Sequence, residues 1–160
     1  MNAIPVKSDA EVVEQYGKAV YRLAFAQLRS REDADDVFQE VFLKYVAKSP
    51  DFESEEHRRA WLLRVTINCC RDFWRAPWRN RNVPLDENLP FETRDELGLH
   101  VELKNLPAKY RAVIHLFYYE GLSTKEIADI MKIKPAAVRQ RLSRARSQLK
   151  ETLGKELYDV

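Results

Sequence analysis

The chain has 160 residues and nearly balanced charges, with 27 lysines and arginines against 25 aspartates and glutamates. That length allows one ordinary domain or two small ones. No apolar run reaches the roughly 18 residues that a membrane span needs, and residues 1–9 lack the basic-then-apolar order of a signal peptide. We therefore expect a cytoplasmic protein with no stable membrane insertion.

Charge is arranged in blocks along the chain. Residues 61–82 carry five arginines and one acid, and residues 83–103 carry six acids and one arginine. Residues 132–150 carry seven basic side chains and no acid. Two basic blocks separated by an acidic one indicate two surfaces that bind a polyanion, with a connector between them.

Helical patterning dominates the first half of the chain. Ser8 and Glu11 have the spacing of a capping box, and Ser30 is a second candidate helix cap. Period-two alternation is scarce, which argues against strands. Three helices are predicted here, over residues 8–28, 32–47 and 55–74.

The second predicted helix has an apolar arc and an opposite acidic arc. Taken alone, an acidic arc is commonly no more than a solvated face. Clustered carboxylates also serve metal-dependent nucleases, but residues along one straight helix do not converge on a point. The outward polar residues of this helix are Glu32, Asp35, Asp36, Gln39 and Glu40.

The third predicted helix combines arginines with aromatic and amide side chains on one arc. That composition is typical of a surface that holds single-stranded DNA, because bases stack on rings while guanidinium groups follow phosphates. The alternative is that Trp61 and Trp74 are core residues. The predicted inward residues are Leu62, Val65, Cys69 and Phe73. The predicted outer residues are Trp61, Arg64, Asn68, Arg71 and Arg75, with Trp74 and Trp78 close behind.

Cys69 and Cys70 are the only cysteines. Adjacent helical residues point about 100° apart, so a disulfide between these two is not expected. The sequence offers no second cysteine pair or histidine cluster that would complete a zinc site. We expect two partly buried, reduced thiols, no metal site and no cofactor.

Residues 77–95 have the composition of a linker, with three prolines among acids and asparagines. The predicted fold class is therefore all-α, with two small helical domains, 1–76 and 96–160, joined by a flexible linker. In the second domain, Pro107 predicts the start of a helix over 109–119, which Gly121 ends as a left-handed cap.

The signals of a helix-turn-helix follow in order. Ser123 and Glu126 form a second capping box for a short helix over 126–131, and Pro135 opens a last helix that reaches about residue 153. Lys132 occupies a turn position where this motif often carries glycine. The order of cap, turn and basic helix favours DNA recognition over a merely solvated basic face.

The last predicted helix separates an apolar stripe from a basic face. Arginine can pair bidentately with guanine in the major groove, and glutamine with adenine. The inward stripe is Val138, Leu142, Ala145 and Leu149. The residues that point outward or flank it are Arg139, Gln140, Ser143, Arg144 and Arg146.

These motifs resemble those of a known family. Residues 32–42, EDADDVFQEVF, closely resemble the polymerase-binding helix of the sigma-70 family of RNA polymerase sigma factors. Residues 59–68, RAWLLRVTIN, resemble its promoter-melting helix, and residues 106–142 contain motifs of its −35-reading domain. The match covers about residues 8–76 and 96–153. The lack of a recognisable region between the two domains is similar to the extracytoplasmic-function (ECF) group.

The resemblance implies a sigma factor without enzymatic activity. Its implied partners are core RNA polymerase, through the clamp helices of the largest subunit and the flap, promoter DNA, and an anti-sigma factor. The first domain would bind polymerase and recognise and melt the −10 element, the second would read the −35 element, and the acidic linker would run toward the RNA exit path.

The resemblance also implies individual contacts. The loop over 49–56, which is acidic and lacks glycine, would act with Asn68 to capture a base flipped from the −10 duplex. Implied polymerase contacts are Asp35, Asp36, Gln39 and Glu40. Implied −10 contacts are Phe52, Trp61, Arg64, Asn68, Arg71 and Arg75. Implied −35 contacts are Lys134, Arg139, Gln140, Ser143 and Arg144.

Two other functions remain open at this stage. A stand-alone helix-turn-helix regulator would use the second domain without contacting polymerase. A nucleic-acid-processing enzyme would show metal-dependent turnover, for which the sequence supplies no convergent site.

Overall fold

Six α-helices occupy residues 6–76 and 105–158, the parts of the chain that the computed structural model describes, and no strand occurs within those ranges. The chain divides into two compact units, Met1–Leu85 and Asp86–Val160. The all-helical prediction is confirmed. The predicted linker at 77–95, including Trp78, lies outside the described residues.

The first unit is a bundle of three helices: α1 (Asp9–Leu28), α2 (Arg31–Lys48) and α3 (Glu55–Arg75). Each helix begins after a serine (Ser8, Ser30 or Ser54) whose hydroxyl accepts a hydrogen bond from a backbone N–H of the first turn. At Ser8, the Glu11 side chain also accepts a hydrogen bond from the Ser8 backbone N–H, which completes the predicted capping box. The predicted boundaries are confirmed to within about two residues.

The bundle core forms where the apolar arcs of these helices meet. Val20, Leu23, Val37 and Leu62 are each at most 1% exposed. The inner face of α3 is broader than predicted, since Leu63, Thr66, Ile67 and Cys70 are buried as well, whereas Val65 is only half-buried. Helix α3 contacts both other helices, which is why more than one narrow stripe of it is covered.

The second unit contains α4 (Ala108–Ile114), α5 (Thr124–Met131) and α6 (Pro135–Tyr158). The predicted helix over 109–119 is confirmed in extent, but only α4 is α-helical, and His115–Tyr119 continue it as a wider π-helical turn. In this turn His115 is fully buried, its Nε2 lies 3.3 Å from Oε1 of Glu120, and its ring stacks on Tyr119. Gly121 follows at φ +67°, as predicted.

The turn between α5 and α6 depends on a left-handed lysine. Lys132 has φ 56° and ψ 47°, and the N–H groups of Lys132 and Ile133 both donate to the carbonyl of Ala128. The predicted capping box of Ser123 and Glu126 is present at the other end of α5. The helix-turn-helix geometry is therefore reached with a residue other than glycine in the left-handed position.

We predict that Lys132→Gly stabilises the second unit by about 1 kcal/mol, because glycine adopts this backbone conformation without the Cβ penalty. The matched control is Lys150→Gly, within α6, which should cost about 1 kcal/mol through lost helix propensity. Amide hydrogen exchange of residues 127–142 in the full chain measures both changes. Loss of protection on Lys132→Gly would contradict the prediction.

Candidate nucleic-acid and protein interfaces

The outer face of α2 carries the four predicted polymerase contacts. Asp35, Asp36 and Gln39 are exposed, as the helical pattern predicts. Glu40 is half-exposed, and its carboxylate lies 3.5 Å from Nζ of Lys44. Glu40 therefore belongs to the edge of this face, and Asp35, Asp36 and Gln39 form its exposed polar part.

Two apolar side chains continue the same face and were not predicted. Leu43 is 69% exposed and Val46 is 49% exposed. Leu43 lies one turn beyond Gln39, so the acidic surface runs directly into an apolar one. A purely solvated helix face has no need of exposed leucine and valine, and this combination is typical of a protein-binding surface. We name the surface formed by Asp35, Asp36, Gln39, Leu43 and Val46 the α2 face.

The predicted outer arc of α3 is present. Trp61, Arg64, Asn68 and Arg71 are half-buried, and Arg75 is exposed. Trp74 is 37% exposed and is therefore not a core residue. Because these side chains are half-buried, part of each remains exposed on the outside of the bundle. We name Trp61, Arg64, Asn68, Arg71 and Arg75 the α3 face.

Phe52 is placed differently from the expectation of a ring that faces DNA. It is only 4% exposed, because it stacks on Tyr45 at 6.3 Å between ring centroids and meets the edge of Trp61 at 6.0 Å. Trp61 also contacts Tyr45 edge-on at 5.9 Å. Phe52 thus lies beneath its loop, where it supports the α3 face, and its ring is not available to stack on a base in this conformation.

The two thiols beside this surface are buried and unpaired with each other. Burial, followed by the charge of Glu40, raises the pKa of Cys69 to about 11. Burial also raises the pKa of Cys70. Both side chains are therefore neutral at physiological pH, and they act as small apolar residues of the core. Within the described ranges, no cluster of three or more metal-ligating side chains is found.

In the second unit, the outer side of α6 matches the sequence pattern. Val138, Leu142 and Ala145 are buried and Leu149 is half-buried, so the opposite side of the helix must face outward. All five predicted −35 contacts are exposed and lie on α6 or in the turn before it: Lys134, Arg139, Gln140, Ser143 and Arg144. We name these five residues the α6 face.

Arg146 has a role that the sequence did not reveal. Its Nε donates to the hydroxyl of Tyr118 at 2.7 Å, and its guanidinium lies 5.6 Å from the ring centroids of both Phe117 and Tyr118. These contacts attach α6 to the π-helical turn. Arg146 is accordingly a structural residue, although it is basic and lies on an exposed part of the helix.

Two protein-family models match this chain, one within each of its two compact units. Residues 12–80 match the family model described as "Sigma-70 region 2", and residues 97–149 match the one described as "Sigma-70, region 4". The α2 and α3 faces lie within the first match, and the α6 face lies within the second. Among the described residues, no helix combines the length and hydropathy needed to cross a bilayer.

Two proteins similar to this chain are named as RNA polymerase sigma factors. The chain is 32% identical over 158 residues to the ECF RNA polymerase sigma factor SigE of Mycolicibacterium smegmatis, covering 91% of this chain and 61% of that protein. It is 30% identical over 142 residues to the RNA polymerase sigma factor SigV of Bacillus subtilis, covering 85% of each. The chain thus spans about three fifths of the length of SigE.

Solved structures show the same fold. CnrH, solved in complex with the cytosolic domain of CnrY, is 27% identical with a TM-score of 0.69, covering 91% of this chain and 87% of CnrH. The sigma factor RpoE of Bartonella quintana, solved with the anti-sigma factor NepR, has a TM-score of 0.74 at 23% identity, covering 93% of this chain and 98% of RpoE. Because both family models and the match to 85% of SigV agree, the chain belongs to the sigma-70 family of RNA polymerase sigma factors, which direct promoter-specific initiation of transcription.

Proposed function

We propose that this chain is a non-catalytic, cytoplasmic ECF sigma factor. In this proposal the α2 face binds core RNA polymerase, the α3 face with its loop recognises and opens the −10 element, and the α6 face reads the −35 element. The observation that carries the proposal is the presence of all three faces on the outward sides of helices whose opposite sides are buried.

Polymerase binding is supported by the composition of the α2 face. Its exposed acids complement a basic partner surface, and Leu43 and Val46 supply apolar area that a purely electrostatic contact would lack. We propose that the partner is the pair of clamp helices of the largest subunit, and that the second unit contacts the flap.

Strand opening is supported by the half-buried polar groups of the α3 face. Flipping a base costs a few kcal/mol, which a protein pocket must offset through stacking and hydrogen bonds. Asn68 offers both a donor and an acceptor to a base edge, and its arginine neighbours offer cations to the adjoining phosphates. We propose that the loop over 49–54 forms the rim of the pocket, with Phe52 supporting it from below.

Reading of the −35 element is supported by the exposed, unbroken α6 face. Arg139, Gln140 and Arg144 have the side chains that recognise base edges, while Lys134 and Ser143 suit phosphate contacts. A stand-alone regulator could use this face as well, but such a protein would not need the α2 face.

Since CnrH and RpoE were solved with bound partners, we also propose that an anti-sigma factor covers some of the α2, α3 and α6 faces.

The polymerase contact is tested by Asp36→Lys. We expect affinity for core polymerase to fall by about tenfold, because a like charge replaces an attractive one at the interface. Glu14→Lys, at an exposed position of α1, makes the same charge change away from the α2 face and should leave the affinity unchanged. Equal binding by the two variants, measured by fluorescence anisotropy, would remove the α2 face from the proposal.

The strand-opening role is tested by Asn68→Ala. Transcription from a duplex promoter should fall, while polymerase binding and transcription from a pre-melted template should be retained, because only the duplex depends on capture of an unpaired base in order to open. In vitro transcription on both templates measures the ratio. Equal activity of the variant on duplex and pre-melted DNA, relative to wild type, would count against this role.

The −35 role is tested by comparing two basic residues. Arg144→Ala should relax specificity at one base pair, with a loss of about 1–3 kcal/mol of discrimination. Lys134→Ala should weaken binding to all sequences alike and reduce its salt dependence. Binding to a library of −35 variants separates the two effects, and identical profiles for both substitutions would be inconsistent with base reading by Arg144.

A further inference from the structure

One carboxylate ties the start of α3 to α1 and to the segment before it. Glu55 accepts a hydrogen bond from the Tyr16 hydroxyl at 2.9 Å and pairs with Nζ of Lys7 at 2.7 Å. Nη1 of Arg58 donates to both oxygens of Glu55, at 2.6 and 2.7 Å. Tyr16 is 7% exposed and Arg58 only 5%, whereas the Glu55 side chain is 33% exposed, so the network lies at the edge of the core.

The same network reaches the loop before α3 through Arg58. The guanidinium of Arg58 lies 5.3 Å from the ring centroid of Phe52, within the range of a cation–π contact. Its Nε is buried and makes no hydrogen bond among the described residues. Arg58 therefore interacts with Glu55 on one side and with the face of Phe52 on the other.

The loop backbone is fixed from its other side by His57. The N–H of Glu53 donates to Nδ1 of His57 at 3.3 Å, and the His57 ring meets Phe52 edge-on at 5.2 Å. The Ser54 hydroxyl in turn accepts the N–H of His57 at 3.0 Å. Phe52 is thus held between Arg58, His57 and the aromatic side chains below it.

The pKa of Glu55 reflects how its contacts favour the charged carboxylate. Burial acts to raise the pKa of Glu55, but hydrogen bonds from Lys7 and Tyr16 and the charge of Arg58 lower it below its ordinary value. The carboxylate is therefore ionised at neutral pH and keeps all three partners. Since the Glu55 side chain is 33% exposed and that of Arg58 only 6%, the pair is only partly shielded, and we expect its main contribution to be a defined geometry of the segments that it joins.

We infer that Glu55 and Arg58 are positioning residues for base capture, which hold Phe52 and the loop over 49–54 in the shape that receives an unpaired −10 base. This inference rests on the proposed role of the loop and Asn68. A binding site that is already in its bound shape loses less free energy on ordering when the base enters. Through Lys7 and Tyr16, α1 and the segment before it contribute to promoter recognition without contacting DNA.

The test uses holoenzyme formed from the full chain and core polymerase. The probe is the single-stranded non-template −10 segment of a promoter that the wild-type holoenzyme selects from a randomised DNA pool, with 2-aminopurine at the flipped base. We expect Arg58→Met to weaken binding of this probe about tenfold, and Tyr16→Phe, which removes one hydroxyl, about threefold. Affinities for core polymerase and for duplex −35 DNA should not change.

Three further variants make the outcome decisive. Glu14→Gln removes an exposed carboxylate of α1 and should bind like wild type, and Arg58→Lys, which keeps the charge, should recover part of the lost affinity. A purely structural role would lower the melting temperature and all three affinities together. Asn68→Ala, which alters the proposed base pocket itself, should lose probe binding.

If Arg58→Met and Tyr16→Phe bind the probe like wild type while Asn68→Ala does not, the inference is overturned and the proposed function stands. If Asn68→Ala also binds normally, the proposed capture site is wrong as well. Should Arg58→Met fail to fold, Tyr16→Phe decides: weaker probe binding at an unchanged melting temperature supports the inference, and unchanged binding overturns it.

Discussion

The packing of three aromatic rings joins α2, the loop after it and α3, and the surfaces of the first unit that face outward depend on this contact. Tyr45 from α2, Trp61 from α3 and Phe52 from the loop between them lie within 6.3 Å of one another, measured between ring centroids. Each ring removes a large apolar area from water, and the mixed stacked and edge-on contacts define how the rings are oriented. Because one ring comes from each segment, this cluster sets the direction of the α2 face, the α3 face and the loop together.

Local signals in the sequence predict the limits of the three helices in the first unit and most of their outward residues. Serine caps and apolar periodicity depend on neighbours within a few positions, so the limits of α1, α2 and α3 follow directly from them. The α6 face was predictable for the same reason, since a buried stripe at helical spacing requires the opposite side to be exposed. Lys132 shows how far this reasoning extends: the turn forms where predicted, although a lysine takes the glycine position.

Features that depend on distant residues were not predictable. The partner that Glu55 finds in Tyr16 is 39 residues away, and the partner that Arg146 finds in Tyr118 is 28 residues away. The burial of Phe52 was not predicted, because nothing near it in sequence reveals the rings that cover it. The π-helical turn at His115–Tyr119 escaped prediction as well, since the residues there are compatible with an ordinary helix and only its tertiary surroundings distinguish the two.

The contacts of Arg146 with two aromatic rings affect the expected salt dependence of DNA binding by the second unit. Each cation that neutralises a phosphate releases condensed counterions, and the steepness of the salt response counts those cations. Arg146 keeps its positive charge, because its partners Tyr118 and Phe117 are neutral, but these contacts fix the position of its guanidinium. Arg146 therefore adds to the salt response only where a phosphate comes within reach of this fixed position, and the number of basic residues on α6 does not by itself set the slope.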